Sequence, residues 1–316
     1  MAQALWALYQ RQTMRLAGWQ LWQTILGLLI PLLLVGHVMG TRGLHSFTAF
    51  HGDYITELTV FWILAPGYGV LQVVVLIVVW LHACLGIHGW LRLKPWYAAR
   101  QTSAFTTALL LPALALAGFV AAGMQVRRLA AESGWAERLI AEAGGGLDPV
   151  AWVEAEILPV IAVILALYAL VFVARAVRTL ARSRSNFPRL YYGDRPELEI
   201  RPGMRVLETL RAAAIAHPSV CGGHGRCSTC RVHIDRGGDW LKAPEAEEAK
   251  VLARISAPTT VRLACQLRPS HDLAVSALLP VTATAADAYQ RNPGQMSEER
   301  ALAVLFADIR GFTRFA

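Results

Sequence analysis

Cys221, Cys227 and Cys230 stand in one short stretch, Cys-Gly-Gly-His-Gly-Arg-Cys-Ser-Thr-Cys, and Cys265 follows after a further 34 residues. They are four of the five cysteines in the chain. One loop offering three thiolates, answered by a fourth from a distant segment, is a ligand arrangement for a [2Fe–2S] cluster. Gly222, Gly223 and Gly225 suit such a loop, which must reach positive φ and bring N–H groups close to sulfur. A structural zinc site spaces its ligands as two short Cys pairs, whereas here the fourth cysteine stands alone. Disulfides are disfavoured in the reducing compartment to which the charge pattern below assigns this segment. Unrelated buried thiols would not gather within a 45-residue window.

The residues around the cysteines carry a resemblance. Pro-Gly-Met-Arg-Val-Leu-Glu-Thr-Leu-Arg (202–211), Cys227-Ser-Thr-Cys230 and Arg262-Leu-Ala-Cys265-Gln make the stretch Pro196–Pro280 similar to the [2Fe–2S] ferredoxin family over a full domain. The five-residue first gap resembles the adrenodoxin-like branch rather than the plant type. The resemblance implies a β-grasp fold and one-electron transfer, without catalysis by the module itself.

These residues need elements to position them. The chain has 316 residues, 55% of them hydrophobic, and a mean hydropathy of +0.41, which is the composition of a membrane protein. Apolar runs predict spans at about Trp19–Gly40, Leu58–Trp90, Ser103–Met124 and Val153–Ala174. The second is longer than a bilayer needs, and Ala65-Pro-Gly-Tyr-Gly69 is the place for a break. The net charge of +8 is concentrated at the ends of these runs, with no basic–aromatic interleaving, so nucleic acid is not the expected partner. Arg11 and Arg15, then Arg92, Lys94 and Arg100, then Arg175, Arg178, Arg182, Arg184 and Arg189 mark the inner sides. Both termini and the cysteine segment are thereby expected in the cytoplasm, beneath a multi-pass cell (inner) membrane anchor.

The expected fold is an all-α four-helix transmembrane bundle followed by an α+β domain. Its parts are a cytoplasmic segment (1–18), a four-span anchor (19–180), a basic linker (181–195), the ferredoxin-type domain (196–280), a connector (281–297) and a terminal segment (298–316). Within the domain, Glu197–Arg201, Cys230–Asp235, Thr260–Leu263 and Leu273–Ala277 read as strands. Arg205–Ala214 and Ala246–Ile255 read as helices.

Histidines at membrane depth are functional candidates by default. His37 lies on the first span, His82 and His88 on the second, and His45 and His51 between them. Imidazoles from a helix bundle ligating haem b would account for them. At about 1.5 Å per residue, His37 and His82 differ in depth by about 15 Å, which favours two haems over one. His45 or His51 would complete the outer pair and His88 the inner, unless a second protomer supplies a ligand. The arrangement loosely resembles the cytochrome b anchors of succinate:quinone and fumarate:quinone oxidoreductases, which implies a quinone or quinol partner.

The last residues carry another signal. An apolar run, Ala301–Ala307, ends in Asp308 and is followed by Gly311, a geometry that can hold Mg²⁺ and a polyphosphate. Val-Leu-Phe-Ala-Asp-Ile-Arg-Gly-Phe-Thr (304–313) resembles the opening of the class III adenylate/guanylate cyclase domain. The resemblance implies that Asp308 and the Ile309 carbonyl bind metal and that Gly311, Phe312 and Thr313 lie by the triphosphate of ATP. The remaining catalytic residues of that family would lie beyond Ala316, so this chain is expected to be inactive as a cyclase. The leading expectation is the redox-sensing membrane and ferredoxin part of a dimeric nucleotide cyclase. The alternative is a quinone-linked membrane electron-transfer protein with a ferredoxin module.

Overall fold

The computed structural model describes residues 2–11, 18–94, 96–144, 147–181, 187–201 and 203–289. The segment 298–316, with Asp308, Ile309, Gly311, Phe312 and Thr313, lies outside the described residues. So do Arg15, Arg182 and Arg184 of the charge pattern.

The N-terminal half is helical. A short helix α1 (Ala2–Gln10) precedes α2 (Gly18–Val38), which continues through a wider π turn (Met39–Gly43) into α3 (Leu44–Phe47). Next come α4 (Tyr54–Thr59), α5 (Pro66–Leu91), α6 (Gln101–Leu129), α7 (Trp135–Gly144) and α8 (Pro149–Ala181). Four stretches, Gly18–Phe47, Pro66–Leu91, Ala98–Leu129 and Pro149–Ala181, are long and apolar enough to cross a membrane.

The local causes of these boundaries are visible. Asp53 caps α4, its Oδ1 accepting from Thr56 N at 2.9 Å. Another π turn, Val60–Leu64, leads to Ala65, and Pro66 then opens α5 at its first helical position, so the long second apolar run is two helices. The bundle is tied across helices by Trp80 Nε1 donating to Ala108 O (2.7 Å) and Tyr168 Oη donating to Leu28 O (2.9 Å). Within the segment 1–18, α1 is docked on the bundle: Leu8 is buried, and Arg178 of α8 lies 4.3 Å over the Tyr9 ring.

The second half is built on a mixed five-stranded sheet. Its strands are β1 (Arg189–Tyr192), β2 (Leu198–Glu199), β3 (Arg231–Arg236), β4 (Val261–Leu263) and β5 (Leu273–Ala277), in the order β2-β1-β5-β3-β4. β1 and β5 run parallel, and the other neighbours are antiparallel. The segment 181–195, expected to be a linker, therefore contains a strand of the domain, which begins before Pro196. Two helices, α9 (Val206–Ala212) and α10 (Ala246–Arg254), cover the sheet. The core of Leu190, Ile200, Val206, Leu210, Val232, Leu263 and Leu273 is almost fully buried. Each such side chain contributes about 1.5–3 kcal/mol relative to exposure.

One charged pair is enclosed with them. Glu248 (1% exposed) accepts from Arg262 Nη2 at 2.8 Å and Nε at 3.0 Å, and from the Leu263 backbone N–H at 2.8 Å. The pair joins α10 to β4, two residues before Cys265. Removing one partner leaves the other charge buried alone, so Glu248→Ala is expected to destabilise the domain by about 3–5 kcal/mol. Urea unfolding of the full chain, followed by its visible absorbance, checks this; an unchanged midpoint would show that the pair contributes nothing.

Candidate iron–sulfur centre

The loop that begins at Ser219 and ends at Cys230 connects α9 to β3, and Cys265 directly follows β4. All four sulfur-bearing residues are buried: Cys221 at 3%, Cys227 and Cys265 at 1%, Cys230 at 0%. Two hydrogen-bonded pairs form, Cys221 with Cys227 and Cys230 with Cys265. Among the described residues no three His, Cys, Asp or Glu side chains form a site for a single metal ion. Two thiol pairs side by side suit two irons instead.

The charge state follows the pairing. The Cys227 thiol, donating to Cys221, is the main influence holding Cys221 down to about 4; backbone N–H groups of Arg226, Cys227 and Gly223 add to it. Cys227 is raised by the same bond and by burial. Cys265 is lowered chiefly by the bond from Cys230, while Cys230 is raised by that bond and by its burial. In each pair one thiol is pushed down and its partner up. Hydrogen bonds from Gln266 Nε2 to Cys265 Sγ (3.4 Å) and between Thr229 Oγ1 and Cys227 Sγ (3.1 Å) extend the donor shell.

The backbone conformation makes this possible. Gly222 has φ +77° and Gly223 φ +97°. A Cβ at Gly223 would also stand 3.2 Å from Leu207 Cδ2 of α9. The helix is in turn fixed to the fourth ligand's segment, with Leu207 N donating to Ala264 O (2.9 Å) and Val206 N to Leu267 O (3.0 Å). Arg211 closes the loop's other side, donating to Ser219 Oγ (2.7 Å) and Gly222 O (3.3 Å). A donor set of four buried sulfurs in two pairs, ringed by N–H groups, fits a [2Fe–2S] cluster.

The loop lies against the ends of α2 and α5. Gln20 Nε2 donates to Gly222 O at 3.0 Å, and Arg92 Nη2 donates to Val220 O. Arg92 also lies 4.8 Å over the Trp19 ring. Leu93 packs in one buried cluster with Cys221, Cys227 and Ala288. Ala288 comes from the connector, and its carbonyl accepts from Ser228 Oγ at 2.8 Å. Tyr289 Oη reaches Leu93 O, and Arg254 covers its ring at 4.8 Å. Sequence reasoning counted Arg92 only as an inside charge and did not single out Gln20, Leu93 or Ala288. These contacts join residues 35 to 202 positions apart, and no local pattern announces them.

The candidate histidines are not assembled as ligand pairs. His45 and His51 touch each other, Nδ1 to Nδ1 at 2.9 Å, with no room for an iron between them. His82 approaches Gln23 Nε2 at 3.4 Å and packs over Gly27, where a Cβ would stand 2.9 Å from its Cε1. His37, ten residues further along α2, lines a different cavity with Glu57 and Tyr68. His88 Nδ1 is bonded to Tyr97 Oη at 3.1 Å. Among the described residues these contacts give no support to the haem expected from the sequence.

A family described as the 2Fe-2S iron-sulfur cluster binding domain matches residues 191–270. The F subunit of a Na(+)-translocating NADH-quinone reductase from Pseudomonas paraeruginosa is 32% identical over 117 residues, 35% of this chain and 28% of that protein. Its counterpart from Neisseria gonorrhoeae is 32% identical over 80 residues, 25% of this chain and 19% of that protein. The 2Fe-2S ferredoxin-5 of Aquifex aeolicus is 38% identical over 64 residues, 20% of this chain and 67% of that protein. The chain therefore spans less than a third of the reductase subunits it matches. Among solved structures, the ISC-like [2Fe-2S] ferredoxin of Pseudomonas putida is 25% identical, covering 30% of this chain and 93% of that one, at a TM-score of 0.27.

Two outcomes test the site. Cys265→Ala is expected to abolish cluster absorbance and bound iron, since Cys265 is the thiol hydrogen-bonded to Cys230; retained iron would refute the pairing. Gly223→Val, which adds strain at φ +97° and a clash with Leu207, is expected to lower iron content several-fold with the sheet intact by circular dichroism.

Proposed function

From a chain that belongs to the 2Fe-2S iron–sulfur cluster binding family through residues 191–270, we infer a membrane-bound one-electron carrier that links a quinone pool to a redox partner. The observation that carries this reading is the seating of the cysteine loop on the ends of two long apolar helices, through Gln20, Arg92 and Leu93. A carrier serving soluble partners alone gains nothing by pressing that loop against apolar helices. The relatives named as the F subunit of a Na(+)-translocating NADH-quinone reductase support a quinone-linked role. The four long helices would supply the anchor, and the basic residues flanking them favour the cytoplasmic side for the ferredoxin domain.

Held by Cys221, Cys227, Cys230 and Cys265, the cluster would accept and return one electron. The chain's own residues do the rest. The N–H groups of Gly223, Gly225, Arg226 and Cys227 point at sulfur and stabilise negative charge there. Burial of the four cysteines excludes water from the sulfurs. Leu93 and Ala288 cover Cys221 and Cys227, the side facing the helices.

A second reading, the redox-sensing part of a nucleotide cyclase, keeps one observation in its favour. The connector leading toward 298–316 is packed through Ala288 on the cysteine loop and through Tyr289 on Leu93. Charge on the cluster could thus bias the segment to which the connector leads. The comparisons match the ferredoxin part and support the electron-transfer reading better.

The full chain is expected to stay with membranes through an alkaline wash and to be released by detergent. Its visible absorbance should bleach on dithionite and recover on adding a short-tailed quinone. Absorbance that bleaches but does not recover with quinone would refute the quinone link. Cyclase activity of a longer protein that tracks the bleaching would favour the second reading.

A further inference from the structure

An open cleft of about 850 Å³ lies between α5 and α6, at the end of α5 nearest the cysteine loop. Trp80, Leu81, Ile87 and Phe105 supply apolar walls, and the exposed faces of both helices leave it open toward the surrounding lipid. Among the described residues its polar groups are few: the bonded His88–Tyr97 pair, Gln101, which opens α6, and Thr102 at one end, with Cys84 and Thr107 further along, the Thr107 hydroxyl donating to Ser103 O. No Lys, Arg, Asp or Glu among the described residues lines it. We propose that this cleft is a binding site for an isoprenoid quinone or quinol, its head group at His88, Tyr97 and Gln101 and its tail along α5 and α6.

The chemistry selects the occupant. A phospholipid brings a phosphate, for which this cleft offers no cation. A hydrocarbon tail alone would leave unused His88 Nε2 and the Gln101 amide, two exposed polar groups at the end of the cleft nearest the turn. A quinone is uncharged, flat and apolar, with two ring oxygens that accept hydrogen bonds, and sites for such molecules are apolar with a few placed polar groups. Position supports the same occupant. Tyr97 is buried and lies four residues from Leu93, which packs on Cys221 and Cys227, so the Cα atoms of Leu93 and Tyr97 are at most about 14 Å apart. The turn between α5 and α6 thus has the cysteine loop on one side and the cleft on the other. This site deepens the quinone-linked reading above and rests on it.

The test is equilibrium binding of decylubiquinone to the full chain in detergent, by isothermal titration, with the visible spectrum of each sample recorded alongside. One saturable site per chain is expected. His88→Ala and Gln101→Ala should each weaken it by about tenfold, the loss of one hydrogen bond, or about 1.4 kcal/mol. Leu165→Ala, exposed on α8, should bind as the parent does. Gln101 is exposed, so its variant keeps the test open if His88→Ala fails to fold. No saturable binding, unchanged affinity in both variants, or equal displacement by decane or by a sterol would overturn the site. A chain that binds the quinone but shows no bleachable absorbance would refute the electron carrier and leave the site standing. Bleachable absorbance without saturable binding would overturn the site alone.

Discussion

Four sulfurs buried at one point are the constraint on which the rest of this structure depends. Thiolates at such spacing repel one another, and burial strips them of water, so the protein must provide compensating N–H groups and cations. Backbone can supply that many donors in one place only by turning through the left-handed region, which sets glycine at 222 and 223. A loop so coiled has few bonds of its own. It is held from outside, by Arg211 of α9, by the Ala264 and Leu267 carbonyls that fix α9, and by the Glu248–Arg262 pair behind β4. The sheet gives these elements a common base.

The same loop is also the joint between the two halves. Its outer side could have faced solvent, yet it is covered by Trp19, Gln20, Arg92 and Leu93 at one end of the helical part and by Ala288 of the connector. Three segments distant in sequence meet over Cys221 and Cys227. A change of charge at the sulfurs is therefore felt first by the turn between α5 and α6 and by the connector. The first of these leads to the cleft at His88 and Tyr97, the second toward the residues after Tyr289.

Legibility varied with the range of the interaction responsible. The helices could be read because each satisfies its own backbone and shows its apolar character residue by residue, and the break in the second apolar run could be read because Pro66 cannot donate an N–H. The cysteines were legible through their spacing in one loop. Strand β1 was not: Arg189 made it look like a basic exit segment, and its pairing with β5 joins residues more than 80 positions apart. The histidines misled in the opposite way. Counting them by span suggested ligand pairs, whereas their rotation about each helix axis turned His88 toward Tyr97 and His82 toward Gln23.

By itself the sequence determined the chemistry on offer: four thiols with glycines between them, four long apolar stretches, and basic residues at their ends. Those properties are local, encoded in residue type and short spacing, and they survive any packing. Tertiary structure decided what the chemistry faces. It paired Cys221 with Cys227 and Cys230 with Cys265, set the loop on the ends of α2 and α5, and opened a cleft one turn away. It also bonded His88 to Tyr97 and set His45 against His51. Such outcomes depend on which surfaces meet in the folded chain, and packing geometry alone settles that.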